Sequence, residues 1–182
     1  MLSLRQFFGS LILLLAITTA IAQTAADSLS RYQLGAGDVI SIVVFGEDDL
    51  KREKIRLSDS GTIAYPILGE IKVLGHTAGE VEKIVADGLR GRYLVNPQVS
   101  VTVDQYRPYF ITGQVGSSGG YPYQPGLTIR KAVSLAGGFK ERASKDKIFV
   151  VRDKEKGTKP VKVDLDTPVY PGDTITVEES FF

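Results

Sequence analysis

Two copies of one phrase, a Gly-Asp turn that leads directly into a strand, constrain the fold of this chain more than any other feature. The first copy is LGAGDVISIVV at residues 34–44, and the second is VYPGDTITV at residues 169–177. Glycine accepts a positive φ angle, and aspartate can hydrogen-bond the backbone two residues further on, so the pair makes a tight turn at little cost. The β-branched residues that follow suit a half-buried pleated surface. The two turns predict paired β-rich modules, which bind or assemble more often than they catalyse.

The first 22 residues predict a secretory signal peptide. Arg5 is their only charge, an apolar run covers residues 11–17, and AIA at residues 20–22 fits a cleavage site of small residues. An uncleaved anchor helix is the alternative, although the run is shorter than the ~20 residues that cross a bilayer comfortably. Residues 23–30 are small and polar, which predicts a flexible lead-in to the folded part.

The composition argues against several classes of protein. There is no cysteine, so the chain forms no disulfide and cannot carry the lipid of a bacterial lipoprotein. Once Arg5 leaves with the signal peptide, 21 basic residues balance 21 acidic ones. A neutral chain lacks the basic excess with which proteins grip nucleic acid or anionic lipid, so no nucleic-acid partner is expected.

Residues 31–106 predict a first α+β module. Alternating apolar residues predict strands at residues 39–45, 54–57, 62–65, 70–74 and 99–103. The second and third strands are expected to pair as a hairpin around the turn at residues 58–61, and residues 46–54 are expected to form a charged loop. Thr77 and Glu80 make a capping-box pattern, and the helix that follows places one face inward, with Gly91 at its end: Val81, Ile84, Val85 and Leu89.

Residues 107–179 predict a second module with a similar order of elements. Strands are expected at residues 109–115, 148–152 and 161–165, with a last strand after the second Gly-Asp turn. Thr128 is the expected N-cap of a short helix that ends at Gly137 and Gly138. Both modules run strand, glycine-bearing loop and Thr-capped helix, with the boundary near residues 106–108. The predicted fold class is therefore α+β in two small modules.

Catalytic patterns are scarce. His76 is the only histidine and precedes a helix cap, where an ordinary loop residue is the favoured interpretation. The carboxylate pairs Asp48–Asp49 and Asp164–Asp166 lie in predicted loops, where solvated carboxylates are the favoured interpretation over a catalytic pair that faces a cleft. Asp164, Asp166 and Asp173 lack the spacing and the closing glutamate of a calcium loop. Residues 116–120 are glycine-rich, but no Lys-Ser/Thr follows as a phosphate-binding loop needs. No metal, no cofactor and no enzymatic activity are therefore expected.

An aromatic group marks the candidate site. Near the module boundary and the glycine-rich loop, the sequence places Tyr106, Arg107, Tyr109, Tyr121 and Tyr123. Tyrosine offers a flat apolar face with a polar tip, which suits sugar rings and subunit interfaces. Three interpretations stay open for these residues: ordinary strand packing, a subunit interface, or contact with a glycan.

The order of these phrases resembles the bacterial polysaccharide export proteins of the outer-membrane auxiliary (Wza-like) family. The first half resembles their polysaccharide-export domain through YQLGAGDVI at 32–40, LSDSGTI at 57–63, PILG at 66–69, the Thr77-capped helix and NPQVSV at 96–101. The second half, residues 107–179, resembles their soluble-ligand-binding (SLBB) β-grasp domain through ITGQV at 111–115, GGY at 119–121, TI at 128–129, AGGF at 136–139 and VVR at 150–152. One departure is Ser118-Gly119 where the family has Pro-Gly.

This resemblance implies a periplasmic, ring-forming export component for capsular or exopolysaccharide. It would act with an inner-membrane copolymerase, often a tyrosine kinase. Long family members continue into further β-grasp repeats and a pore-lining helix, whereas this sequence stops at residues 179–182, so docking to a separate outer-membrane β-barrel is expected. The alternatives are a periplasmic small-ligand or peptidoglycan-binding module, and a glycan hydrolase or lyase using paired carboxylates.

Overall fold

The computed structural model describes residues 32–153 and 159–180, which form two α+β modules in succession along the chain. The first module contains β1 (Val39–Val44), a 3-10 helix (Asp48–Leu50), β2 (Arg52–Arg56), β3 (Thr62–Tyr65), β4 (Gly69–Lys72), α1 (Ala78–Leu89) and β5 (Val99–Gln105). The second contains β6 (Tyr109–Gly113), β7 (Gly119–Tyr121), α2 (Ile129–Leu135), β8 (Ala143–Val151), β9 (Val161–Val163) and β10 (Thr174–Glu179). The predicted α+β class with two modules is confirmed.

The first module is built around β1, the central strand of an antiparallel sheet with the order β2-β1-β5. The predicted hairpin of residues 54–57 with 62–65 is wrong, because β2 pairs with β1 while β3 pairs with β4. Leu57 exchanges backbone hydrogen bonds with the Gly37-Asp38 turn, which keeps the end of β2 beside β1. The predicted charged loop also contains the 3-10 helix and the start of β2.

Helix α1 begins with the predicted capping box. The Thr77 hydroxyl accepts from the Glu80 amide at 3.2 Å, and the Glu80 carboxylate accepts from the Thr77 amide at 2.7 Å. Val81, Val85 and Leu89 are fully buried against the sheet, and Gly91 follows the helix in the left-handed conformation at φ 77°. The Glu82 carboxylate also accepts from the Val101 amide at 2.9 Å, which satisfies an edge donor of β5.

The second module has a five-stranded sheet in the order β7-β6-β10-β8-β9, in which β6 and β10 are parallel. Helix α2 covers it with Ile129, Ala132 and Val133. Thr128 occupies the predicted N-cap position, but its side chain makes no capping hydrogen bond. Instead, the carbonyls of Leu165 and Thr167 accept from the first amides of α2, so a neighbouring loop satisfies the helix start.

Several expectations fall outside the described residues. They concern the signal peptide and the lead-in, together with residues 154–158 between the expected strands at 148–152 and 161–165. Within the described residues, neither helix is long and apolar enough to cross a membrane.

Candidate functional site at the module junction

The two Gly-Asp turns adopt the same geometry at the start of β1 and of β10. Gly37 and Gly172 have φ angles of 94° and 85°, as the predicted tight turns require. Each aspartate bonds an amide three residues before it, rather than two after it. Asp38 accepts from the Gly35 amide at 2.7 Å, and Asp173 accepts from the Tyr170 amide at 2.8 Å. Both carboxylates are buried, so each turn places a buried negative charge at a strand start.

Each buried carboxylate is paired with an arginine. Arg107 donates its backbone amide to Asp38 at 2.7 Å, and its guanidinium lies 3.3 Å from the same side chain. Asp173 forms an ion pair with Arg152. Burial raises the pKa of Asp173, while the Tyr170 amide and Arg152 act in the opposite direction. The pairing offsets part of the desolvation cost that two buried charges impose.

Tyr32 completes the polar contacts of the first turn. Its hydroxyl donates to Asp38 at 2.6 Å and accepts from Arg107 at 2.9 Å. Burial raises the pKa of Tyr32, and the hydrogen bond to Asp38 raises it further, so the phenol stays protonated and remains a donor. The sequence interpretation missed this residue, although it lies two residues before the first Gly-Asp phrase.

The Arg107 guanidinium lies between the two turns and contacts both modules. A Cβ atom on Gly35 would lie 1.7 Å from Arg107 Nη1, and one on Gly172 would lie 2.8 Å from Arg107 Nε. The same Nε lies 3.1 Å from Asp153 of the second module, as an ion pair without an aligned hydrogen bond. We call Gly35, Asp38, Arg107, Asp153 and Gly172 the junction cluster, because it joins the modules through one buried cation.

Beside this cluster, three half-buried tyrosines form a row that crosses the junction. Tyr32 and Tyr106 meet edge to face with ring centroids 4.9 Å apart, and Tyr106 and Tyr123 do so at 5.4 Å. Burial raises the pKa of Tyr106 and of Tyr123, so their hydroxyls stay neutral at physiological pH. This tyrosine row presents aromatic surface from both modules on a junction that Arg107 holds together.

The structure separates the five predicted site residues into three groups. Tyr106 and Tyr123 belong to the tyrosine row. Arg107 and Tyr109 are buried, with 7% and 0% of their surface exposed, so neither can face a polysaccharide or a second subunit in this conformation. Tyr121 is half-buried, stacks on Tyr109 at 5.9 Å and donates to the Ser117 carbonyl. Glycan or subunit contact stays a prediction for the three tyrosines with exposed surface.

The other residues considered for chemistry have structural contacts. His76 Nδ1 lies 3.6 Å from the Glu80 carboxylate, at the start of α1. Asp164 accepts hydrogen bonds from the Asp166 amide and the Thr167 hydroxyl, as in an Asx turn. These local contacts give His76 and Asp164 structural roles in the fold.

The buried hydroxyl of Tyr109 gives a first testable prediction. It has no hydrogen-bond partner among the described residues, and burial raises the pKa of Tyr109 to about 12. Tyr109→Phe removes an unsatisfied buried group, so we expect the free energy of unfolding to stay equal or to rise by up to about 1 kcal/mol. Tyr65→Phe is the control, because the Tyr65 hydroxyl donates to Leu50 O at 2.7 Å and its loss should cost about 1 kcal/mol. If urea unfolding shows that Tyr109→Phe and Tyr65→Phe lower the free energy of unfolding equally, this account is contradicted.

Comparison with known proteins agrees with the order of the two modules. Residues 26–104 match the family model "Polysaccharide biosynthesis/export protein", and residues 108–164 match the model "SLBB domain". The exopolysaccharide production protein ExoF of Rhizobium meliloti is 34% identical over 69% of this chain and 33% of its own length. The EPS I polysaccharide export outer membrane protein EpsA of Ralstonia nicotianae is 29% identical over 59% of this chain and 35% of its own length.

The chain spans about a third of the length of these curated relatives. The two models nevertheless match in sequence order. Each falls on one of the two modules described above, and each module has its own hydrophobic core. The chain therefore belongs to the bacterial polysaccharide export family, with an export domain followed by an SLBB domain.

Proposed function

We propose that this protein is a non-enzymatic periplasmic component of an exopolysaccharide or capsule export machine. Copies associate laterally into a ring or conduit, and the glycan passes along it towards a separate outer-membrane channel. The observation that supports this most is the tyrosine row, which displays aromatic surface from both modules across one junction. The naming of a relative as an outer membrane export protein supports the same site of action.

The chemistry of the row suits a sliding polymer. Tyrosine rings stack on the apolar faces of sugars, and the hydroxyls of Tyr106 and Tyr123 can exchange hydrogen bonds with sugar hydroxyls at similar energy from one unit to the next. A near-neutral chain adds no strong long-range attraction that would stall a charged polymer. The junction cluster keeps Tyr32 and Tyr106 in place, because Arg107 bonds Tyr32 directly and follows Tyr106 in the chain.

The partners of this machine are part of the proposal. An inner-membrane polysaccharide copolymerase, in some systems a tyrosine kinase, would deliver the polymer, and further copies of this chain would complete the conduit. The small-ligand or peptidoglycan-binding module is the alternative, and it requires a defined ligand bound by a single copy.

The deciding experiment measures surface and secreted polysaccharide in a clean deletion strain, with the wild-type gene returned in trans. We expect polymer outside the cell to be lost and then restored on complementation. Unchanged amount, length and location of the polymer would overturn the export proposal and favour the ligand-binding alternative. The ring has its own test, because a chain that stays monomeric at high concentration and with its partners cannot form one.

A further inference from the structure

Two β-bulges flank β1, one in each of the neighbouring strands β2 and β5. On one side, Ile40 pairs with Ile55 and Ile42 with Arg52, so β2 carries one extra residue. On the other side, Val39 pairs with Gln105 and Ile40 with Val103, which makes Asp104 the extra residue of β5. Bulges concentrate beside functional sites because they redirect side chains out of the regular pleat.

The Ser41 hydroxyl connects the two bulges. It donates to the Asp104 carboxylate at 2.5 Å and accepts from the Lys54 amide at 3.0 Å. Lys54 has a left-handed φ of 54°, a conformation that non-glycine residues adopt at a cost and that clusters at functional sites. Ser41 is almost fully buried, so these hydrogen bonds belong to the interior of the fold and not to a mobile surface contact.

The bulges border an open cleft of about 540 Å³, lined by Val39, Lys54, Arg56, Asp104 and Gln105. Within the described part of the chain, neither Lys54 nor Arg56 has a carboxylate partner in an ion pair. Arg56 donates one hydrogen bond to the Gly37 carbonyl at 3.1 Å, which positions the guanidinium and leaves its other donors available. The cleft therefore combines one carboxylate and one amide with two cations that form no ion pair among the described residues.

This combination has a preferred ligand. Two cations at one side of a cleft bind a carboxylate or a similar anion, and arginine can do so with two parallel hydrogen bonds. Asp104 and Gln105 accept and donate the hydrogen bonds that sugar hydroxyls require, while Asp104 disfavours a small ion of dense negative charge. We propose that this cleft is a subsite for an acidic sugar, with Lys54 and Arg56 on the anionic group and Asp104 and Gln105 on hydroxyls.

The inference rests on the proposed export function and narrows its substrate to a polymer that contains acidic sugars. Gln105 lines the cleft and is followed directly by Tyr106 of the tyrosine row. A polymer that follows the row would thus meet an anion subsite at the side of the first module.

The test titrates the purified full chain with hexagalacturonate, with neutral maltohexaose, and with inorganic phosphate at matched ionic strength. We expect hexagalacturonate to bind in calorimetry and to shift the backbone amide signals of Lys54, Asp104 and Gln105. The double variant Lys54→Gln/Arg56→Gln should weaken this binding by at least about tenfold, because both charge-assisted contacts are lost. Lys72→Gln/Lys83→Gln is the matched control, since it removes the same charge from exposed positions outside the cleft and should bind as the parent does.

Several outcomes would overturn the proposal. They are the absence of hexagalacturonate binding, equal binding of maltohexaose, unaltered binding to the cleft double variant, and phosphate binding as tight as that of the sugar. If hexagalacturonate does not bind but the deletion strain loses its external polymer, the acidic-sugar subsite is rejected and the export function stands. If hexagalacturonate binds but the polymer of the deletion strain is unchanged, the saccharide site stands and the export function is rejected.

Discussion

Replacing Arg107 with leucine is expected to lower the free energy of unfolding by about 3 kcal/mol, since it leaves the buried Asp38 carboxylate without its cation. The change also removes a side chain that contacts the turns of both modules. Arg130→Leu is the matched control, because Arg130 pairs with Asp166 at the surface and such pairs contribute at most about 1 kcal/mol. Urea unfolding of both variants measures the difference.

A second substitution separates loss of the ion pair from loss of packing. Adding Asp38→Asn to Arg107→Leu removes the uncompensated charge, and we expect the double variant to be more stable than the sum of the single losses predicts. Additive losses would show that Arg107 and Asp38 are not energetically coupled. An Arg107 variant no less stable than the Arg130 variant would show that the junction cluster does not stabilise the fold.

Replacing Gly113 with alanine is expected to destabilise the second module by about 3 kcal/mol or more, through strain and steric overlap together. Gly113 ends β6 with a φ of 92°, and a Cβ atom there would lie 2.1 Å from the Val177 carbonyl oxygen of β10. That neighbour is backbone in the central strand of the sheet, so it cannot move away as the end of a side chain could.

Gly138→Ala is the control for the Gly113 variant. Gly138 has a similar φ of 82°, but no atom lies within 4 Å of the position that a Cβ atom would take there, so only the conformational cost of about 1 kcal/mol applies. The difference between the two variants in lost free energy of unfolding, from thermal or urea unfolding, measures the steric overlap with the Val177 carbonyl alone. Equal losses would mean that β6 and β10 separate easily at this point.

Structural features that depend only on neighbouring residues are predictable from the sequence. The Thr77–Glu80 capping box, the left-handed Gly91 and the positive φ of both Gly-Asp turns each depend on a few neighbouring residues, and each occurs as predicted. The helices were recognisable for the same reason, because their apolar spacing is local. The resemblance to the export family rested on the order of such local phrases, and the matching family models agree with it.

Pairing between strands was predicted less well, because it depends on contacts across the fold. The sequence of residues 54–65 is compatible with a hairpin, yet β2 joins β1 across the 3-10 helix and β3 turns back on β4. Both arrangements satisfy the same alternating pattern, so only the packing of the whole core selects between them.

The sequence alone determined the class of the fold, its two modules and the family to which the chain belongs. The tertiary structure decided the candidate site. Arg107 and Asp38 are separated by 69 residues, and the tyrosine row combines Tyr32 with Tyr106 and Tyr123 from distant segments. Local patterns report propensity and periodicity, whereas a buried ion pair exists only when two distant segments exclude water together. For that reason the sequence left packing, subunit interface and glycan contact open for Arg107, and the structure places its side chain in the interior of the junction.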